Sequence, residues 1–340
     1  MSGNKVLIVG AGALGLTCGY HLQLAGADIT FLVRPHRLES LSRPQRLYCY
    51  NDHTAKVFKD YRVIAATEEL QGQRYDFVML TLDGATCRSD QGTATITALG
   101  NAVRDYDTTM IICGVGVGLY EHVRNTSGFS ASRLLEGTMK MLAYQVDGAK
   151  MPLPSPTDIE LHNASDIAYI SFPDGVAFYV SSAPKQQSTA FAGIWGKSDL
   201  IRCKRMPTKL FRVFSNTFFP FTVACELDGW RGTDALIKNE ELWQLCCNAQ
   251  REVMRLKHNG LTGKAFALLM SNSKLEKSMR DLERDASPMG FTAFNKFHHG
   301  GKVLEQNIQI MENCANIGEQ DGRKMTALNT LLSRWHESRH

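Results

Sequence analysis

The chain has 340 residues, 44% of them hydrophobic and 21% charged, with a formal charge of +4. That length makes two domains the default expectation and supplies ample material for a core. The small positive charge is dispersed and no nucleic-acid-binding motif accompanies it, so composition argues against a nucleic-acid partner while leaving anionic small molecules open.

The N-terminus, Met1-Ser2-Gly3-Asn4-Lys5, leads into a short apolar run that glycines soon interrupt, so no signal peptide is expected. Nine cysteines form no regular framework and no CxxC pair. Reduced core thiols, no metal site and a cytosolic location are the expectations. Lys5 to Val9 reads as a short buried strand. Leu14 to Leu24 reads as a helix stopped by Gly26, and between them stands Gly10-x-Gly12-x-x-Gly15. In that strand-to-helix context each glycine has a task. Gly10 permits the tight turn, Gly12 lets backbone approach a pyrophosphate, and Gly15 lets helix and strand pack closely. With Ala13 and Leu14, these residues offer the N–H groups of a helix N-terminus to phosphate oxygens.

Asp28 to Val33 is expected as the second strand. Where an NAD-binding domain usually places an acid at its end, this chain has Arg34-Pro35-His36-Arg37. Arg34 can accept a 2′-phosphate bidentately and Arg37 can add charge, so NADP(H) is the expected cofactor. The bland alternative is a solvated loop. Tyr75 to Leu82 and Met110 to Cys113 complete a set of apolar strands alternating with helices, the pattern of a parallel sheet covered on both faces. Asp83 closes the first of these two strands, and its charge is out of place beside phosphates unless it binds ribose or amide hydrogens.

From Leu135 to Val180 the segments "MKMLAYQV", "DIELHNA", "IAYISF" and "VAFYV" read as strands that extend the sheet antiparallel. Gln186 to Lys197 follows as a helix and Leu200 to Cys203 as a last strand. Beyond Met206-Pro207 everything reads as helix: Lys209 to Leu227, Glu240 to Asn259, Gly263 to Glu283, Val303 to Ile317 and Met325 to Trp335. Phe211 to Leu227 contains Arg212, Asn216 and Pro220, which suits a core helix and not a membrane span. The expected fold class is therefore α/β: a Rossmann-type dinucleotide-binding domain over residues 1–206, then an all-α domain over 207–340, with a ligand cleft between them.

The opening "VLIVGAGALG", the "LVRP" with Arg34, the strand ending "VMLTL", the glycine-rich "CGVGVG" and the late "ANIGEQDGRKMTALNTLL" together resemble the ketopantoate reductase family. The resemblance implies NADPH-dependent reduction of a ketone, with a lysine on the first helix of the C-terminal domain supporting the oxygen that becomes the alcohol. Several positions depart from that pattern. Asp83 stands where the family commonly has lysine, the turn around Gly116 lacks the usual asparagine, and Leu210-Phe211-Arg212-Val213-Phe214-Ser215-Asn216 carries no lysine. Arg212 can bind an oxyanion but is a poor proton donor, and Asn216 can donate a hydrogen bond but no proton.

A second cluster, "FNKFHHGGKV", gathers Asn295, His298, His299 and Lys302. The resemblance implies that this region helps hold the substrate, although the family's acid is missing. A histidine titrating near neutrality serves as general acid or base, and Lys302 can bind a carboxylate. The alternative is a helix cap with solvated basic residues. The candidate assignments are then Gly10, Gly12, Ala13, Leu14, Gly15, Arg34, Asp83 and Gly116 for cofactor, Arg212, Asn216, His299 and Lys302 for catalysis, and Asn295 and His298 for substrate. The leading reading is an NADP(H)-dependent oxidoreductase acting on a small carbonyl compound other than ketopantoate. Two rivals stand beside it: a non-redox cyclase, isomerase or pericyclase of specialised metabolism, and a non-catalytic NADP sensor. A small molecule is the expected partner, without nucleic acid or membrane, and homo-oligomerisation stays open.

Overall fold

The computed structural model describes residues 3–197 and 201–339. The chain divides into two compact units, one made of Met1–Ala149 with Leu153–Thr208 and the other of Lys150–Pro152 with Lys209–His340.

In the first unit, apolar strands with no polar face become the centre of a parallel sheet. β1 (Lys5–Val9) pairs in parallel with β2 (Asp28–Leu32). Next come β3 (Gln45–Cys49), β4 (Thr54–Phe58), β5 (Arg62–Ile64), β6 (Phe77–Leu80), β7 (Thr109–Ile112) and β8 (Leu134–Met139). β9 (Leu142–Gln145), β10 (Ile167–Ile170), β11 (Val176–Ser181) and β12 (Arg202–Met206) complete the set among the described residues. The larger sheet has the order β12-β11-β8-β7-β6-β1-β2-β5, and only the β8–β11 pairing in it is antiparallel. The strand expected from Leu200 is observed as β12; Leu200 itself lies outside the described residues.

The expected antiparallel extension is only half of what the middle segments do. β11 extends the sheet, whereas β9 and β10 leave it and join β3 and β4 in a second sheet of order β4-β3-β10-β9. This second sheet covers the outer side of α1 (Ala13–Leu24). The Tyr20 ring on α1 meets Phe58 of β4 at 6.0 Å, and His21 meets Tyr169 of β10 at 5.4 Å. On the inner side, a Cβ on Gly19 would lie 2.8 Å from the Phe31 ring. Covered on both sides, α1 is apolar nearly all round, as a helix without a solvent face must be. The segment "DIELHNA", expected as a strand, is instead the helix Ile159–Asn163, because Asp158 accepts a hydrogen bond from Leu161 N at 3.0 Å and caps it.

The second unit is helical. The run expected as one helix from Lys209 is two, Thr208–Thr217 and Phe219–Leu227, since Pro220 can occupy the first turn of a helix but cannot continue one. Glu240–Met254 forms a helix, and Gly263 to Glu283 likewise splits, into Gly260–Leu269 and Asn272–Asp285, with Ser271 accepting from Lys274 N to cap the second. Phe291–Phe297 runs into a π-helical turn, His298–Lys302, before Leu304–Gln320 and Thr326–Glu337. The histidine pair therefore sits in a wide turn between helices and not in a simple cap ahead of Val303. Among the described residues, no helix is long and apolar enough to cross a membrane.

Candidate functional site

The glycine loop leaves β1 at the carboxyl end of the sheet. Gly10 has φ +106°, and a Cβ there would sit 2.9 Å from Thr81 Oγ1. That hydroxyl donates toward Val9 O at 2.8 Å and Gly10 O at 3.1 Å, tying the loop to the chain leaving β6. A Cβ on Gly15 would come within 2.1 Å of Gly10 O, so only glycine permits this approach of helix to loop. Gly12 is the opposite case. It caps α1 without a side-chain hydrogen bond, and no atom lies within 4 Å of where its Cβ would be. Ala13 and Leu14 in the first turn remain half-buried. A helix N-terminus opening beside a bare glycine is a cradle for an anion.

The other cofactor candidates end neighbouring strands. Arg34 is exposed just past β2, where Pro35 begins a short turn. Arg37, at the end of that turn, places Nη2 3.5 Å from Ala11 O while its Nε donates to Ser40 Oγ at 3.2 Å. Arg37 thus reaches the edge of the glycine loop. Asp83, after β6, spends its carboxylate locally: Oδ1 accepts from Thr86 N at 2.7 Å and Oδ2 from the Thr86 hydroxyl at 2.8 Å. It is the N-cap of the helix Gly84–Arg88, which explains an acid in this place without any contact to ribose. Cys87 on that helix is a buried thiol pushed up to about 12 by burial, with the Asp83 charge adding to the effect. After β7 comes Gly116 at φ +140°. Its neighbourhood is built backbone against backbone, since a Cβ on Gly84 would meet Val115 O at 2.5 Å and one on Gly114 would meet Leu82 O at 2.8 Å. Arg88 Nη2 donates to Val117 O at 2.7 Å and holds the two loops together. Sequence reasoning missed Thr81 and Arg88; the signal for Thr81 was a hydroxyl at the exit of a buried strand.

In the helical unit, Arg212 is half-buried and Asn216 is buried with its Oδ1 unpartnered. Asn295 is 2% exposed and donates from Nδ2 to Phe291 O at 2.8 Å, which leaves that group engaged with its own helix. His298 stacks on Phe294, with centroids 5.5 Å apart and planes at 17°. His299 is ringed by Phe218 at 5.5 Å, Phe219 at 6.2 Å and His298 at 4.7 Å. Gly300 lies against the Trp230 indole, whose Nε1 donates to Glu226 Oε2 at 2.5 Å. Lys302 is exposed. Burial, then the neighbouring His298, lowers His299 to about 3; burial, then Lys302, lowers His298 to about 4. Both imidazoles are neutral near pH 7, which corrects the expectation of a histidine titrating close to neutrality.

A parallel sheet whose adjacent carboxyl ends carry a glycine cradle and a basic loop defines a dinucleotide-binding α/β protein. Residues 6–161 match the ketopantoate reductase PanE/ApbA family model. Among curated proteins, none matches. Solved structures with the same fold include a 2-dehydropantoate 2-reductase from Geobacter metallireducens, 17% identical with a TM-score of 0.69, covering 98% of this chain and 99% of that one. The 2-dehydropantoate 2-reductase of Methylococcus capsulatus is 13% identical with a TM-score of 0.68, covering 97% and 94%. A D-mandelate dehydrogenase solved with NADH and anilino(oxo)acetate is 11% identical, also with a TM-score of 0.68, covering 98% and 97%.

Proposed function

We propose that this protein is an NADP(H)-dependent oxidoreductase of the ketopantoate reductase type that acts on a small carbonyl compound other than ketopantoate. The observation that carries the reading is the open Gly12 at the N-terminus of α1, with Arg34 at the end of the adjacent strand. Gly12, Ala13 and Leu14 would receive the pyrophosphate on backbone N–H groups, and Arg34 would receive the 2′-phosphate, with Arg37 adding positive charge beside it. When bound, NADPH supplies a hydride for a carbonyl carbon.

The chain's own task is to orient the substrate and meet the negative charge that grows on its oxygen. Arg212 offers a permanent positive charge, and Asn216 and His299 offer hydrogen-bond donors. Lys302 suits a substrate carboxylate. No lysine stands at the position where the resemblance implies one, so the charge would be met by donors that keep their protons, and the alkoxide would take its proton from solvent. This is why ketopantoate is set aside as the substrate.

The test is NADPH oxidation followed by absorbance across a panel of 2-oxo acids, 2-oxo amides and imines, with ketopantoate included. Turnover of one of these well above ketopantoate supports the reading. Binding of NADPH without turnover of any carbonyl would overturn it in favour of a sensor, and product formed with cofactor unconsumed would overturn it in favour of non-redox chemistry.

A further inference from the structure

The helix Leu304–Gln320 carries one asparagine that sequence reasoning did not single out. Asn307 is 1% exposed. Its Nδ2 lies 3.1 Å from His299 Nδ1 and 3.2 Å from the His299 carbonyl oxygen. The carbonyl can only accept, so the atom facing it must be the amide nitrogen; turning the amide over would set two oxygens against each other. That fixes the ring as well. Nδ1 receives an N–H and is therefore the unprotonated nitrogen, which places the ring proton of the neutral imidazole on Nε2.

Among the described residues Nε2 has no hydrogen-bond partner, yet it is not one of the unpartnered atoms closed off from solvent. It is an accessible donor on a ring held edge-on by Phe218 and Phe219. Burying an asparagine to orient one imidazole is costly unless the orientation is used, and here the amide leaves its own Oδ1 unpartnered.

We infer that Asn307 is a positioning residue that holds His299 as a neutral Nε2–H hydrogen-bond donor for the carbonyl oxygen of a bound substrate. The inference rests on the oxidoreductase reading for the identity of the ligand, but the orientation of the ring does not. His299 resists protonation, lowered to about 3 by burial and by His298, so the ring gives a hydrogen bond without giving up a proton. A neutral donor of this kind stabilises a developing oxyanion by preorganisation.

Two measurements on the full chain test it. The first is a long-range proton–nitrogen spectrum of 15N-histidine-labelled protein at pH 7, with the His299 signals assigned by their loss in His299→Gln. An unprotonated Nδ1 and a protonated Nε2 are expected, and Asn307→Asp should move the proton to Nδ1 because a carboxylate can only accept. A wild-type Nδ1 that carries the proton overturns the positioning claim, with or without any ligand. The second is titration with oxamate, an unreactive 2-oxo acid mimic, in saturating NADPH, with circular dichroism confirming the fold of each variant. His299→Phe should weaken oxamate about tenfold or more, while His299→Gln, which keeps an N–H, should stay within about threefold. A His299→Phe protein that binds NADPH and oxamate as the wild type does would overturn the donor role and leave the oxidoreductase reading intact. Failure of the wild type to bind NADPH would sink that reading, while the spectrum still decides the orientation of His299.

Discussion

The ligand groups proposed for the two units are of different kinds. In the first, the groups are backbone: N–H donors at the start of α1 and glycines that keep space clear, all placed by the ends of parallel strands. In the second, they are side chains on helices and on a wide turn, such as Asn216, His299 and Asn307. A backbone site is written into residue spacing, because only glycine satisfies its geometry. A side-chain site can exchange its chemistry while the helices stay where they are.

The contrast can be broken most forcefully at Gly15. A side chain there runs into Gly10 O, so Gly15→Val should cost roughly 3 kcal/mol of stability in urea unfolding. Gly12→Ala places its methyl in open space at an ordinary φ of −81°, so its unfolding midpoint should hardly move while NADPH affinity falls. If both variants lose stability alike, the glycines are merely structural and the cradle is not one.

Removing one guanidinium comes next. Arg34→Ala should weaken NADPH by roughly tenfold to a hundredfold in a fluorescence titration and leave NADH nearly unchanged. Equal losses for both cofactors would assign Arg34 to the loop and not to the 2′-phosphate.

Histidine burial gives a pH test that spans both units. His21 on α1 is 5% exposed, has no hydrogen-bond partner on either nitrogen among the described residues, and is lowered by burial to about 4 from 6.5. The folded value lies below the unfolded one, so the unfolded chain takes up the proton first as pH falls. The stability this neutral ring contributes is full above about pH 6.5 and is lost toward pH 4, at roughly 1.4 kcal/mol per pH unit within that window. His298 and His299 act in the same direction. The urea midpoint should drop between pH 7 and pH 5, and His21→Phe should flatten the drop. A slope unchanged by that substitution would show that His21 takes no part in it.

The smallest effect is expected at Asp83. Asp83→Ala removes a helix cap and should cost about 1 kcal/mol, with Asp83→Asn close to the wild type. A large loss of cofactor affinity in Asp83→Asn would instead assign the carboxylate to the nucleotide.

What could be read in the sequence follows the same division. β1, β2, β6 and β7 are buried on both faces and stand out as apolar runs, so the dinucleotide-binding sheet was visible from its residues. The second sheet was not. β4 is largely accessible and mixes polar with apolar residues, and β3 finds its parallel partner in β10, far away in sequence, so neither shows a local signature. Only its consequence was on view, in a helix α1 too apolar to face water. Asp83 was legible as an anomaly but not as a cap, because the deciding contact is to Thr86, three residues on. Asn307 left no trace at all: an asparagine in an amphipathic helix declares its role only when the turn that it touches is in place.

The central claim is that the cradle at Gly12 and the arginine past β2 together take a 2′-phosphorylated dinucleotide. Isothermal titration of the wild-type protein with NADPH and with NADH tests it most directly. At least tenfold tighter binding of NADPH is the expected result, and equal affinities, or no heat from either, would contradict it.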